Sequence, residues 1–126
     1  MRSWTWDDEV YRTTFHLVEG SREDFSAFIK KTFDHDYKVT GSAHTFFTKK
    51  HNAIAIWLQP REWDVEHISV IAHEAFHATT FALDTVGIRL SDESDEAFAY
   101  YLAWVVRNVL VRLAGDPKKK TRRTAA

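Results

Sequence analysis

The segment His73-Glu74-Ala75-Phe76-His77 carries the clearest chemical signal in the chain. Two histidines four residues apart on a helix share one face, one turn apart. From there each can offer a ring nitrogen to the same ion, and zinc takes such nitrogens at about 2.0–2.1 Å. Glu74 is offset around the helix, so it reaches a metal-bound water rather than the metal. A carboxylate in that place can take a proton as the water attacks a carbonyl. The competing reading is coincidence in a chain with seven histidines, because a bare five-residue match is only moderately specific. The apolar helix around the motif weighs against coincidence, since two buried imidazoles need partners.

Two histidines do not complete such a centre, which needs a third protein ligand beside an open position for water. No histidine follows His77, and Thr80 and Leu83 stand where a HExxHxxGxxH pattern needs glycine and histidine. The remaining downstream donors are Asp84, Asp92, Glu93, Asp95 and Glu96. Each of the acids near residue 95 also reads as a solvated first-turn carboxylate facing a helix N-terminus.

The motif needs a helix, and the surrounding pattern predicts one. Asp64 is a suitable cap, and Ile68, Ile71, Ala72, Ala75, Phe76, Ala82 and Leu83 recur at helical spacing up to about residue 86, with Gly87 just beyond. A second long helix should start amid the acids at 92–96 and run to about Leu113, before Gly115 and Pro117. Upstream, residues 10–19 are a β-branched and aromatic mix suited to a strand. Ser21 and Asp24 begin a capping box, and Phe25, Phe28, Ile29 and Phe33 predict an amphipathic helix over 22–33. The apolar runs 43–49 and 53–59, joined by Lys50-His51-Asn52 and stopped by Pro60, read as an antiparallel hairpin. The expected fold is α+β in the order β-α-β-β-α-α, with a small three-stranded sheet, antiparallel or mixed, and three helices. One domain should cover 1–115, and 116–126 should be a basic, disordered tail.

HExxH followed by a glutamate on the next helix resembles the gluzincin branch of the zincin metallopeptidases. In that branch eighteen residues separate the second histidine from the glutamate, and here the residue so reached is Glu96. The run Ser94-Asp95-Glu96-Ala97-Phe98-Ala99-Tyr100 is similar to the branch's glutamate-bearing helix. The likeness spans roughly 64–113 and looks most like a minimal single-domain gluzincin, a type also found among small phage and bacterial proteins. It implies a zincin-like fold and Zn²⁺ held by His73, His77 and Glu96, with Glu74 as general base. Tyr100, one turn after Glu96, becomes a candidate for stabilising the oxyanion, against the plainer role of a core aromatic. His67 and Tyr101 are weaker candidates. Tyr100 stands where the branch has a supporting aspartate four residues after the glutamate; the sequence does not identify the acceptor behind the zinc-bound histidines, for which Asp92, Asp95 or a main-chain carbonyl could serve. The resemblance also implies that strand 53–57, just before the metal helix, is a sheet edge open to an extended peptide, against the alternative of a buried strand.

Composition bounds these readings. Hydrophobic residues are 44% and aromatic residues 14%, enough for a ring-rich core in one domain. The absence of cysteine excludes disulfides and thiolate zinc sites. The net charge of −1 gives no general bias toward nucleic acid, although Lys118, Lys119, Lys120, Arg122 and Arg123 could touch phosphates without specifying a sequence. No leader is visible, and the longest apolar run, 97–106, is about half a membrane span, so a cytoplasmic protein with no membrane partner is expected. Trp4, Trp6, Trp57, Trp63 and Trp104 read as packing residues, and His16, His35, His44 and His51 as surface or core histidines. The leading function is a zinc-dependent hydrolase of peptide or protein substrates. Its alternative is a zinc-binding regulatory or interaction module with little hydrolysis. A structural zinc site and a zinc-free helical interaction protein are further possibilities, the former opposed by Glu74.

Overall fold

The computed structural model describes residues 1–115; the basic run after them lies outside the described residues. The element order is β1 (Arg2–Asp7), β2 (Thr14–Glu19), α1 (Arg22–Phe33), β3 (Ala43–Thr48), β4 (Ala53–Leu58), α2 (Val65–Thr85) and α3 (Asp95–Ala114). The fold is α+β with three helices, and its mixed sheet has four strands in the order β1-β2-β4-β3. β1 and β3 run antiparallel to β2 and β4 respectively, and the central pair β2–β4 is parallel.

The expected order and strand count are corrected by β1. Its Trp4 and Trp6 alternate with Thr5 and turn inward, a period-2 signal hidden by the short, polar run around it. The expected strand at 10–19 also starts too early. Residues 8–13 form the β1–β2 turn instead, with Asp8 Oδ1 accepting from Val10 N–H at 2.7 Å and Arg12 at a φ of +59°. The Tyr101 hydroxyl donates to Asp8 Oδ2 at 2.7 Å and ties this turn to α3.

Local signals set the other boundaries. Ser21 and Asp24 close a reciprocal capping box on α1. Asp64 accepts from the amide of His67 at the start of α2. Gly87, at a φ of +80°, ends it.

The sheet separates two cores. On one face α1 packs through Phe25 and Ile29 onto Val18, Phe46, Ala55 and Trp57. On the other, α2 and α3 cover Phe15, Leu17, Ile54 and Ile56 with Ile71, Ala75, Ala78, Ala82, Val105 and Val109. Being covered on both faces, β4 is buried along all six residues and reads as a continuous apolar run. The expectation that 53–57 forms a sheet edge is therefore overturned: β4 lies between β2 and β3, and the edge beside α2 is β3. Among the described residues one helix, Asp95–Ala114, is long and apolar enough by length and composition to cross a membrane; here Phe98, Val105, Val109 and Leu113 pack it into the core.

His16 gives this architecture a pH dependence. Its ring sits between Phe28 and Phe33, and Thr5 Oγ1 lies 3.0 Å from Nδ1. Burial pushes its pKa below the ordinary value, against a smaller upward pull from Asp7. The unfolded chain takes a proton near pH ~6.5 and the folded chain only at lower pH. This contribution to stability is thus present above ~6.5 and is lost progressively as pH falls from there through the lower folded value. Urea midpoints should drop between neutral and mildly acid pH, and His16→Gln should flatten that drop. A slope identical in wild type and variant would remove His16 as its cause.

Candidate metal centre

The stripe Ile71, Ala75, Ala78 and Ala82 turns α2 toward the sheet. His73 and His77 fall on the outer side of the same helix and are exposed, so the expectation of buried imidazoles is corrected. The buried member of the motif is Glu74, 7% exposed, on the flank that meets β3. There Thr45 Oγ1 lies 2.8 Å from Glu74 Oε1 and 3.1 Å from its main-chain carbonyl oxygen. The Thr45 hydroxyl donates its single proton toward these two acceptors. This holds one carboxylate oxygen against the strand and leaves Oε2 free of that bond.

The two histidine Nε2 atoms are 3.1 Å apart. A tetrahedral ion with nitrogens at 2.0–2.1 Å separates two of them by roughly 3.3 Å. The separation is close to the one a zinc ion needs, and it is also a hydrogen-bonding distance between the two rings. Beside the pair, Ser42, Ala43, Glu66, Ser69, Val70, His73 and Glu74 line a cavity of about 410 Å³. The motif thus opens onto a space flanked by α2 and the start of β3.

The downstream candidates are placed differently. Among the described residues no three His, Cys, Asp or Glu side chains gather closely enough to hold one ion, so Glu96 is not assembled with the histidine pair. Glu96 is exposed, two residues and roughly 200° around α3 from the buried Phe98. Phe98 is the residue that meets α2, with its ring 5.6 Å from that of Phe76. Tyr100 is 74% exposed and borders another cavity, with Asp8, Tyr11 and Tyr101. Asp92, Glu93 and Asp95 are exposed as well. No family model, curated protein or solved structure matches the chain.

Thr45 escaped the sequence reading because it lies twenty-nine residues before Glu74 on a separate element. His44 reads from the sequence as a surface or core histidine, yet its imidazole feels both Glu74 and His77. Burial lowers its pKa most, Glu74 pulls it up, and His77 pushes it down. Its Nε2 is hydrogen-bonded to the Tyr37 hydroxyl. His67 is buried against Trp63 with Nδ1 lacking a protein partner, and it does not line the cavity.

Proposed function

We propose that the chain is a zinc-dependent peptide-bond hydrolase on a zincin-like fold. The observation that carries this reading is the His73–His77 nitrogen pair beside a buried carboxylate that opens onto a cavity. His73 and His77 would hold the ion, and Glu96 would complete the set at its gluzincin-like spacing. The ion would polarise the substrate carbonyl and acidify a bound water.

Glu74 would serve as the base that takes a proton from the attacking water and passes it to the leaving amine. Thr45 keeps its carboxylate on the side facing the cavity. The free edge of β3, next to α2, offers backbone groups to an extended peptide, which makes recognition tolerant of sequence. Tyr100 remains the candidate partner for the oxyanion and, like Glu96, requires the start of α3 to approach the pair. Ser94 caps no helix amide with its side chain; its hydroxyl is bonded instead to Ser91 and to the Arg89 carbonyl of the preceding loop.

The separation of Glu96 from the histidines favours one alternative, a zinc-binding interaction module with little hydrolysis. Zinc titration against a chromogenic chelator tests both readings. Wild type should take up one zinc, and His73→Ala or His77→Ala should weaken uptake by at least about 100-fold. Glu96→Gln should weaken it by at least about tenfold. No uptake by wild type would end both readings. Unchanged uptake in Glu96→Gln would remove Glu96 from the centre. Tight uptake with no cleavage of a peptide library would leave the module.

A further inference from the structure

The cavity beside the motif is built to receive hydrogen-bond donors. Glu66, His73 and the Ser69/Val70 pair between them lie on one side of α2 at helical spacing. Glu66 lies seven residues before His73, about 10.5 Å along the axis. Its carboxylate is exposed, and among the described residues it enters no ion pair. The Ser69 hydroxyl donates to the Val65 carbonyl at 2.7 Å, so it meets the cavity with its lone pairs. No lysine or arginine lines the space, and Val70 and Ala43 supply aliphatic wall. An apolar stem ending in a cationic donor fits this lining: methylenes lie along Val70 and Ala43, and the head reaches Glu66 and Ser69.

We propose that this cavity is a subsite for a basic side chain, lysine or arginine, of a bound peptide, and that Glu66 is its specificity-determining residue. The inference rests on the hydrolase reading for the cavity's place beside the scissile bond, but binding tests it separately. An exposed charge pair favours its partner by up to about fivefold, and salt screens it.

The experiment is amide-shift titration of zinc-free full-length protein with four capped tripeptides: Ala-Lys-Ala, Ala-Arg-Ala, Ala-Leu-Ala and Ala-Glu-Ala. The same peptides are then offered as substrates to zinc-loaded protein. The lysine and arginine peptides should shift the amides of Ser69 and Val70 and bind about fivefold more tightly than the other two, with the advantage shrinking as salt rises. Their relative affinities separate ammonium from guanidinium preference. Glu66→Gln should level the series, and Glu66→Lys should favour the glutamate peptide. A leucine peptide that binds as well as the lysine one, or a preference that survives Glu66→Gln, overturns the proposal. So does cleavage without charge preference, or failure of all four to bind. Basic preference in binding with no cleavage sustains the subsite and defeats the hydrolase.

Discussion

Glu74→Gln is expected to keep the fold and zinc uptake while slowing peptide hydrolysis by about 10²–10⁴-fold, the usual contribution of a positioned general base. The amide has nearly the same shape, and its oxygen can still accept from Thr45 Oγ1, which lies 2.8 Å from Oε1 in the wild type. The histidine pair is untouched, because His73 and His77 occupy the outer side of α2. What is lost is the ability to accept a proton. Thr45→Val should cause a smaller fall, about tenfold, by freeing the carboxylate from the orientation that the proposed base needs, and Thr45→Ser should restore most of it. Steady-state rates per bound zinc, with melting curves alongside, decide the matter. Wild-type turnover by Glu74→Gln would refute the proposed base.

Trp57→Ala is expected to be the most damaging single truncation. The indole is fully buried on β4, stacks on Phe25 with centroids 5.9 Å apart, and donates from Nε1 to the Gly20 carbonyl at 2.9 Å. Removing it costs about 3–5 kcal/mol in contacts and cavity, and it also leaves a buried carbonyl without its donor. Domains of this kind have only about 5–15 kcal/mol in total, so the melting temperature should fall by about 15 °C or more. Trp57→Phe keeps most of the ring volume and should recover over half of that loss. Trp57 faces α1, away from α2, so zinc uptake per folded molecule should be unchanged. Urea and thermal denaturation measure the stability, and a Trp57→Ala melting point near wild type would show that the α1 face contributes little.

Features that depend on near neighbours along the chain were legible in the amino-acid order. The Ser21–Asp24 box and the Phe25–Phe33 periodicity placed α1 at its observed bounds, because both act within a few turns of helix. The Asp64 cap and the apolar stripe fixed α2, and helical spacing alone brought His73 and His77 side by side. The hairpin of β3 and β4 was legible from two apolar runs around a short polar turn.

The tertiary structure decided whatever depends on which elements become neighbours. A continuous apolar run such as Ala53–Leu58 suits an edge or a centre equally, and only its pairing with both β2 and β3 made it central. Helical periodicity could not say which side of α2 meets the sheet. Packing turned His73 and His77 outward and buried Glu74 against Thr45. The resemblance to gluzincins singled out Glu96, but the face of α3 that packs is set by Phe98, Val105 and Val109, and Glu96 lies off it. Hydrophobic burial orients a helix as a whole, so the contact it favours can hold a ligand away from the site its sequence spacing suggests.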